Sequence, residues 1–353
     1  MPSIAAVTHA FPDHYYPQEA MLAALRQHWA RGHSNLDRLD RIHHSVGVTG
    51  RHLALPIEEY EGLEGFEAKN NAWIESALDL GEKVLCGLLD KAKMEPREVS
   101  QIIFTTVTWI GVPSIDARLI NRIPFSPNLK RVPLFGLGCV AGAAGVARLA
   151  DYLRGHVDEA GILLSIELCT LTIQPEDFSI ANILSSGLFG DGAAAVLMVG
   201  DHHARAGRGL PMVVDNRSIF FPDTEQVMGW EVGESGLKIV LSAEVAQLAE
   251  AHLRLGVEAF LGEHGLSIGD IRHWIAHPGG PKVIQAIESG FGLGEHALDL
   301  SRESLVEVGN ISSTSVLLIL EETLSRFQPG PGTYGVLMAM GPGFCAEQVL
   351  LQW

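Results

Sequence analysis

A thiol, an imidazole and an amide, at Cys139, His277 and Asn310, are the residues of this chain whose types and surroundings could together carry acyl transfer. Cys139 lies in FGLGCVAGAAG, read as a strand end followed by a helix whose first turns are almost all Gly and Ala. A helix N-terminus presents unpaired N–H groups and partial positive charge, which stabilise a thiolate and raise its nucleophilicity at neutral pH. The plain alternative is a buried cysteine filling a small space. His277 ends a strand and enters the turn HPGGP, where Pro278, Gly279 and Gly280 leave little side-chain bulk. That turn can expose the imidazole at the carboxyl end of a strand, where open α/β sheets place ligands, though a polar turn residue would read the same way. Asn310, in VGNISS, is by itself a favoured N-cap. An amide cannot act as a general base, so beside a thiol and an imidazole it can only donate or accept hydrogen bonds. Together the three make a site in which the thiol attacks a thioester while imidazole and amide bind the developing oxyanion.

The loop around Cys139 also fits a different chemistry. Gly136, Gly138 and Ala141 match G-x-G-x-x-[GA] between a strand and a helix, and Glu167 ends the following strand, as a dinucleotide site requires. Glu167 follows Ala141 by 26 residues, against about 20 in that motif, and the reading leaves Cys139, His277 and Asn310 without a role. A basic patch, RLDRIHHSVGVTGRH, carries Arg38, Arg41 and Arg51 with three histidines; it is either a local anion site or a solvated helix face. The chain as a whole is acidic, with 42 Asp and Glu against 25 Lys and Arg and a net charge of −17, which opposes nucleic-acid binding. The four cysteines, Cys86, Cys139, Cys169 and Cys345, lie far apart, and the pairs His43–His44 and His202–His203 lack partners at useful spacing. Neither a disulfide framework nor a metal site is expected.

The elements that must position these residues follow from length and pattern. The chain has 353 residues, of which 47% are hydrophobic and 19% charged, the composition of a soluble globular protein. It exceeds the roughly 250–300 residues at which single cores stop growing, so two domains or a duplicated one are expected. No apolar run approaches the roughly 20 residues of a bilayer span, and the start has no signal-peptide pattern, which predicts a cytoplasmic protein. Strands are expected at 101–107, 131–135, 161–166, 193–199, 271–276 and 334–338, with helices between them: an α/β fold with parallel strands. The polar, Gly-containing stretch 201–211 divides the chain into 1–205 and 206–353. The halves repeat the same order of elements, and Cys139 and Asn310 occupy corresponding places in them. Both are expected to start central helices that face one another across a pseudo-dyad.

The segments GLGCVAGAAGVARLADYLRG, SGLFGDGAAAVL, WIAHPGGPKVI, GNISSTSVLLILEE and MGPG occur in this order. In combination they resemble the chalcone synthase-like type III polyketide synthases, over residues 38–353. The resemblance implies the thiolase fold, a duplicated five-layered α/β/α/β/α core, and a homodimer. It implies acyl-CoA and malonyl-CoA as substrates, with no further cofactor and no metal. Cys139 would hold the starter and growing chain as a thioester. His277 and Asn310 would polarise the thioester carbonyl of malonyl-CoA for decarboxylation, and His277 would keep Cys139 as thiolate. Phe189, in LFGDG, matches the gatekeeper aromatic between coenzyme A tunnel and cavity. Arg38 and Arg41 match two basic positions for the coenzyme A phosphates; the third is Ser45, which leaves Arg51 or Lys282 to replace it. Gly341, Pro342 and Gly343 match a cavity-shaping loop, with Met340 where the family has Phe, and Val112 falls where a loop residue reaches toward the partner subunit. Cys169 takes a position held by Thr in plant members. With the stretches 166–192 and 228–242 it points to the bacterial branch that extends long-chain fatty acyl starters to alkylpyrones or alkylresorcinols. The alternatives are a single-condensation ketoacyl carrier-protein synthase of the initiating type and an inactive coenzyme A-binding relative.

Overall fold

The computed structural model describes residues 1–29, 36–207, 209–242 and 244–353. Among them, nine strands form a single sheet: β1 (Ser3–Ala10), β2 (Val99–Thr106), β3 (Lys130–Phe135), β4 (Ala160–Leu168), β5 (Asp191–Val199), β6 (Met212–Phe220), β7 (Ile271–Ala276), β8 (Tyr334–Gly341) and β9 (Cys345–Gln352). Their order is β7-β8-β9-β6-β1-β5-β4-β2-β3. All six expected strands are present, within three residues at each end; β1, β6 and β9 were not expected.

The pairing repeats. In the first half β2 runs parallel to β4, β5 antiparallel to β4, and β1 antiparallel to β5. In the second, β7 runs parallel to β8, β9 antiparallel to β8, and β6 antiparallel to β9. The halves join where Ser3 faces Met212, with Ile4 N–H donating to the Pro211 carbonyl at 2.8 Å and Val213 N–H to the Pro2 carbonyl at 2.9 Å. β3 extends the first half as an edge strand, and the described residues of the second half contain no counterpart to it.

Five layers follow from which face of each strand is apolar. A strand buried on both faces reads as a continuous hydrophobic run, as in the β4 segment ILL. Along β4, Ile162, Leu164 and Ile166 pack outward with Val84, Leu85 and Leu88 of α1 (Gly65–Ala92), whereas Leu163 packs inward with Val146 and Leu149 of α2 (Ala141–Gly155). In the second half Trp274 and Met338 face outward to Phe260 of α3 (Val245–Glu263) and Ile284 of α4 (Pro281–Phe291). There Ile275 and Leu337 face inward to Leu317 of α5 (Ser315–Glu322). Helices α2 and α5 thus share the central layer. Their closeness explains Gly142 at the start of α2, where a Cβ would run into the Ser313 carbonyl oxygen, while one on Gly145 would meet the Leu163 side chain of β4.

Candidate active site

The start of each central helix is a single turn of 3-10 helix, Gly138–Val140 before α2 and Ser312–Thr314 before α5. Cys139 occupies the first. Gly138 has φ +57°, and a Cβ there would lie 2.6 Å from the Pro342 ring, so glycine is required twice over. Gly341 backs the same turn against the Leu137 carbonyl and Val140. The Cys139 sulfur lies 3.5 Å from the Ser312 hydroxyl. Ser312 itself holds a positive φ of +46°, a conformation that non-glycine residues adopt rarely and mostly at constrained sites.

Asn310 stands just before the second turn, whose N-cap position is Ile311, so it is a site residue and not the expected cap. Its Oδ1 accepts from Ser312 N–H at 2.8 Å, and its Nδ2 donates to the Gly279 carbonyl at 3.3 Å, beside His277 in sequence. Its backbone forms an isolated bridge to Phe189, donating to the Leu188 carbonyl at 2.9 Å and accepting from Gly190 N–H at 3.0 Å. His277 follows β7 directly and extends its pairing, with N–H to the Met338 carbonyl at 2.9 Å. Its ring is buried, and neither ring nitrogen has a hydrogen-bond partner among the described residues.

Cys139, His277, Asn310, Ser312, Phe189 and Cys169 open onto one cavity of about 650 Å³. Its other walls are mainly apolar: Val107, Leu184 and Leu188 on one side, Ile239, Leu241 and Val245 on another. Cys139 keeps part of its surface on the cavity while protein encloses it elsewhere, so the thiol is reachable yet desolvated. Burial pushes it up to about 11, against the Ser312 hydroxyl, which favours the thiolate. Burial likewise lowers His277 to about 4. Burial thus opposes the charged form of each group taken alone, and a neutral imidazole carries one N–H available to an oxyanion.

Pro342 lines the cavity, whereas Gly341 and Gly343 do not; they set the loop that carries it. Arg38 and Arg41 stand on the exposed side of the helix Leu36–Ser45, outside the cavity lining, while Ser45 and Lys282 border its open side. Arg51 is not available to a phosphate. It is fully buried, and its Nη1 donates to the Ser186 and Phe189 carbonyls. Glu167 cannot meet a ribose, because it is buried with Oε2 accepting from Thr106 Oγ1 at 3.3 Å and Val107 N–H at 3.1 Å, and Oε1 from Ser313 Oγ. The dinucleotide reading fails on that burial. Ser312 was missed in the sequence, although its place in the second half, mirroring the Cys139 turn, could have marked it. Among the described residues no cluster of three or more His, Cys, Asp or Glu could hold a metal ion, and no helix is long and apolar enough to cross a membrane.

A thiol, an imidazole and an amide brought by two matched halves to one cavity define an acyltransferase of the thiolase fold. Residues 9–217 match the family described as FAE1/Type III polyketide synthase-like protein, and residues 213–353 match the C-terminal domain of chalcone and stilbene synthases. The chain is 48% identical over 351 residues to 1,3,6,8-tetrahydroxynaphthalene synthase of Streptomyces peucetius subsp. caesius, covering 99% of this chain and 93% of that protein. It is 34% identical to a putative chalcone synthase of Bacillus subtilis, covering 100% and 99%. The crystal structure of 1,3,6,8-tetrahydroxynaphthalene synthase from Streptomyces coelicolor A3(2) matches with a TM-score of 0.93 at 30% identity, covering 99% of both chains. This chain belongs to the type III polyketide synthases, enzymes that transfer acyl groups by decarboxylative condensation.

Proposed function

We propose that this polyketide synthase uses malonyl-CoA as both starter and extender and builds a tetrahydroxynaphthalene. The observation that carries the chemistry is the convergence of Cys139, His277 and Asn310 on one largely apolar cavity. In each cycle Cys139 Sγ takes an acyl group from its coenzyme A thioester and releases the thiol. Malonyl-CoA then loses carbon dioxide, and the enolate carbon attacks the Cys139 thioester, forming a C–C bond and freeing the sulfur. His277 and Asn310 donate to the thioester oxygen, where negative charge builds in both steps. Residues 1–205 supply the nucleophile and 206–353 the two donors. The identity of 48% to a tetrahydroxynaphthalene synthase supports the product; a naphthalene skeleton has ten carbons, five two-carbon units, and so needs no starter other than malonyl-CoA.

The apolar wall of Leu184, Leu188, Ile239, Leu241 and Val245 favours a second reading, in which a long-chain fatty acyl-CoA is the starter and an alkylpyrone or alkylresorcinol the product. Mass spectrometry of products separates the two. Malonyl-CoA alone is expected to yield tetrahydroxynaphthalene with the native enzyme and nothing with Cys139→Ala. Product only when a C8 to C16 acyl-CoA is added would establish the second reading instead.

A homodimer fits the molecule. The edge strand β3 is exposed along most of its length, Phe135 is 55% exposed, and Val112 is 91% exposed on the neighbouring loop. Exposed Val132 and Phe135 on that edge and Val112 on the loop fit burial against a second copy. Sedimentation should give about twice the 38.1 kDa chain mass. The enzyme is proposed to act in the cytoplasm, on free coenzyme A thioesters.

A further inference from the structure

A buried cation that faces no substrate stands behind one wall of the site. Arg51 is fully buried, and no carboxylate hydrogen-bonds to it among the described residues. Burying a charge is costly unless its polar partners replace water. Here Nη1 donates to the Ser186 carbonyl at 2.8 Å and the Phe189 carbonyl at 3.0 Å, and Nη2 to Gln18 Oε1. The two carbonyls close the helix Ile180–Leu188, whose C-terminal dipole end favours a cation. Gln18 in turn donates to the Gly187 carbonyl at 3.0 Å and the His43 carbonyl at 3.3 Å, and the His43 ring meets Ser186 Oγ at 3.1 Å. Burial lowers Arg51 to about 10, with Asp191 opposing, so it stays charged at neutral pH.

The segment held in this way is the one to which Asn310 is tied. Leu188 and Gly190 make the two backbone hydrogen bonds to Asn310, and Phe189, between them, lines the cavity. A Cβ on Gly190 would meet the Val308 carbonyl oxygen and would lie 3.3 Å from the Arg51 Cβ, so there is no slack between the segment and its support. Cys139, by contrast, sits on the far turn and shares no hydrogen bond with Arg51, Gln18 or residues 186–190.

We propose that Arg51 is a positioning residue for decarboxylation: by holding the Ser186 and Phe189 carbonyls it fixes the Phe189 ring and the Asn310 amide, without touching substrate and without acting on Cys139. The inference rests on the polyketide synthase reading of the site. A displacement of about 1 Å at a reacting group can reduce rate about 100-fold, whereas the thiol should not respond.

The test compares native enzyme, Arg51→Met, Arg51→Lys and Gln18→Leu in three measurements: carbon dioxide released from malonyl-CoA, alkylation of Cys139 by iodoacetamide, and thermal melting. Arg51→Met is expected to lower kcat for decarboxylation at least about 10-fold with KM changed less than about threefold, and to leave the alkylation rate per folded molecule unchanged. Arg51→Lys should restore part of kcat, since an ammonium reaches one carbonyl but not the full set. Equal losses in decarboxylation and alkylation, tracking the melting temperature, would reduce Arg51 to a structural residue and overturn the proposal. Should Arg51→Met fail to fold, Gln18→Leu decides: a smaller kcat loss with the same split supports the proposal, and an unchanged kcat overturns it. Native enzyme that releases no carbon dioxide refutes the underlying reading of the site, a result that no variant is needed to see.

Discussion

The Cys139 sulfur and the Ser312 hydroxyl lie 3.5 Å apart although 173 residues separate them in the chain. Each belongs to the single 3-10 turn that starts a central helix, so the contact is where the two halves of the molecule meet end to end. Ser312 is held at φ +46° for this, with its N–H committed to Asn310 Oδ1. Asn310 holds the Ser312 backbone, while the hydroxyl that meets the sulfur is a separate group of the same residue.

The hydroxyl can donate to the thiolate that forms when Cys139 attacks. A hydrogen bond to a charged group contributes about 1.5–3 kcal/mol, so Ser312→Ala should slow acylation of Cys139 by about 10-fold or more. Rapid-quench mass spectrometry of the acyl-enzyme measures this directly. An unchanged acylation rate would mean that the hydroxyl only accepts from the neutral thiol.

Cys139 and His277 each resist ionisation when the other is neutral, since burial pushes the thiol up to about 11 and the imidazole down to about 4. Moving one proton from sulfur to ring creates opposite charges facing the same cavity, and their attraction offsets part of both burial costs. Removing the imidazole therefore removes the counter-charge. The pH midpoint for alkylation of Cys139 should be higher in His277→Ala than in the native enzyme. Coincident midpoints would show that the two groups do not titrate as a pair.

The closeness of α2 and α5 gives a packing test that does not involve the chemistry. Alanine is the better helix former by about 1 kcal/mol, but at position 142 its Cβ would meet the Ser313 backbone carbonyl, which cannot swing away as a side chain can. Gly142→Ala should be destabilised by about 1–3 kcal/mol through overpacking. At Gly155, at the other end of the same helix, an added methyl would have nothing within 4 Å of it, so Gly155→Ala should be neutral or slightly stabilised. Urea denaturation of both variants checks the contrast; equal effects would contradict it.

Much of this architecture was legible in the sequence because the strands buried on both faces carry apolar runs, ILL in β4 and AAAVLMV in β5. The matching order of elements in the two halves also placed Cys139 and Asn310 at equivalent helix starts. β9 escaped because CAEQVLLQ places Glu347 and Gln348 in a strand buried on both sides; Glu347 is held there by Arg148 and Ser218, partners that only the tertiary structure supplies. β6, MVVDNRSIF, is polar through its middle for a related reason, since Asn216 and Ser218 receive Arg148. Arg51 was misleading in the opposite way. A basic residue in a basic, His-rich stretch reads as a surface anion site, and nothing local shows that its partners are carbonyls 135 and 138 residues away.

Glu167 offers the last test, because it joins the halves through a buried carboxylate. Burial raises it to about 7, against the hydrogen bonds from Ser313, Val107 and Thr106, while in the unfolded chain it titrates near 4.5. Below pH 4.5 it is protonated in both states and its contribution to stability is whole. Between pH 4.5 and 7 the folded protein keeps a proton that the unfolded chain releases, so stability falls as pH rises through that window, by about 3 kcal/mol in total for this group. Asp191, also raised to about 7 by burial, adds a fall of the same sign. Glu167→Gln cannot ionise, so its stability relative to the native enzyme should climb by about 3 kcal/mol from pH 4.5 to pH 7 and then level off, with the Asp191 share of the slope remaining in both. Urea denaturation at half-unit steps across this range makes the comparison. A difference that stays constant with pH would show that the three hydrogen bonds hold Glu167 ionised in the folded protein, and that the two halves are joined there by a charge rather than by a proton.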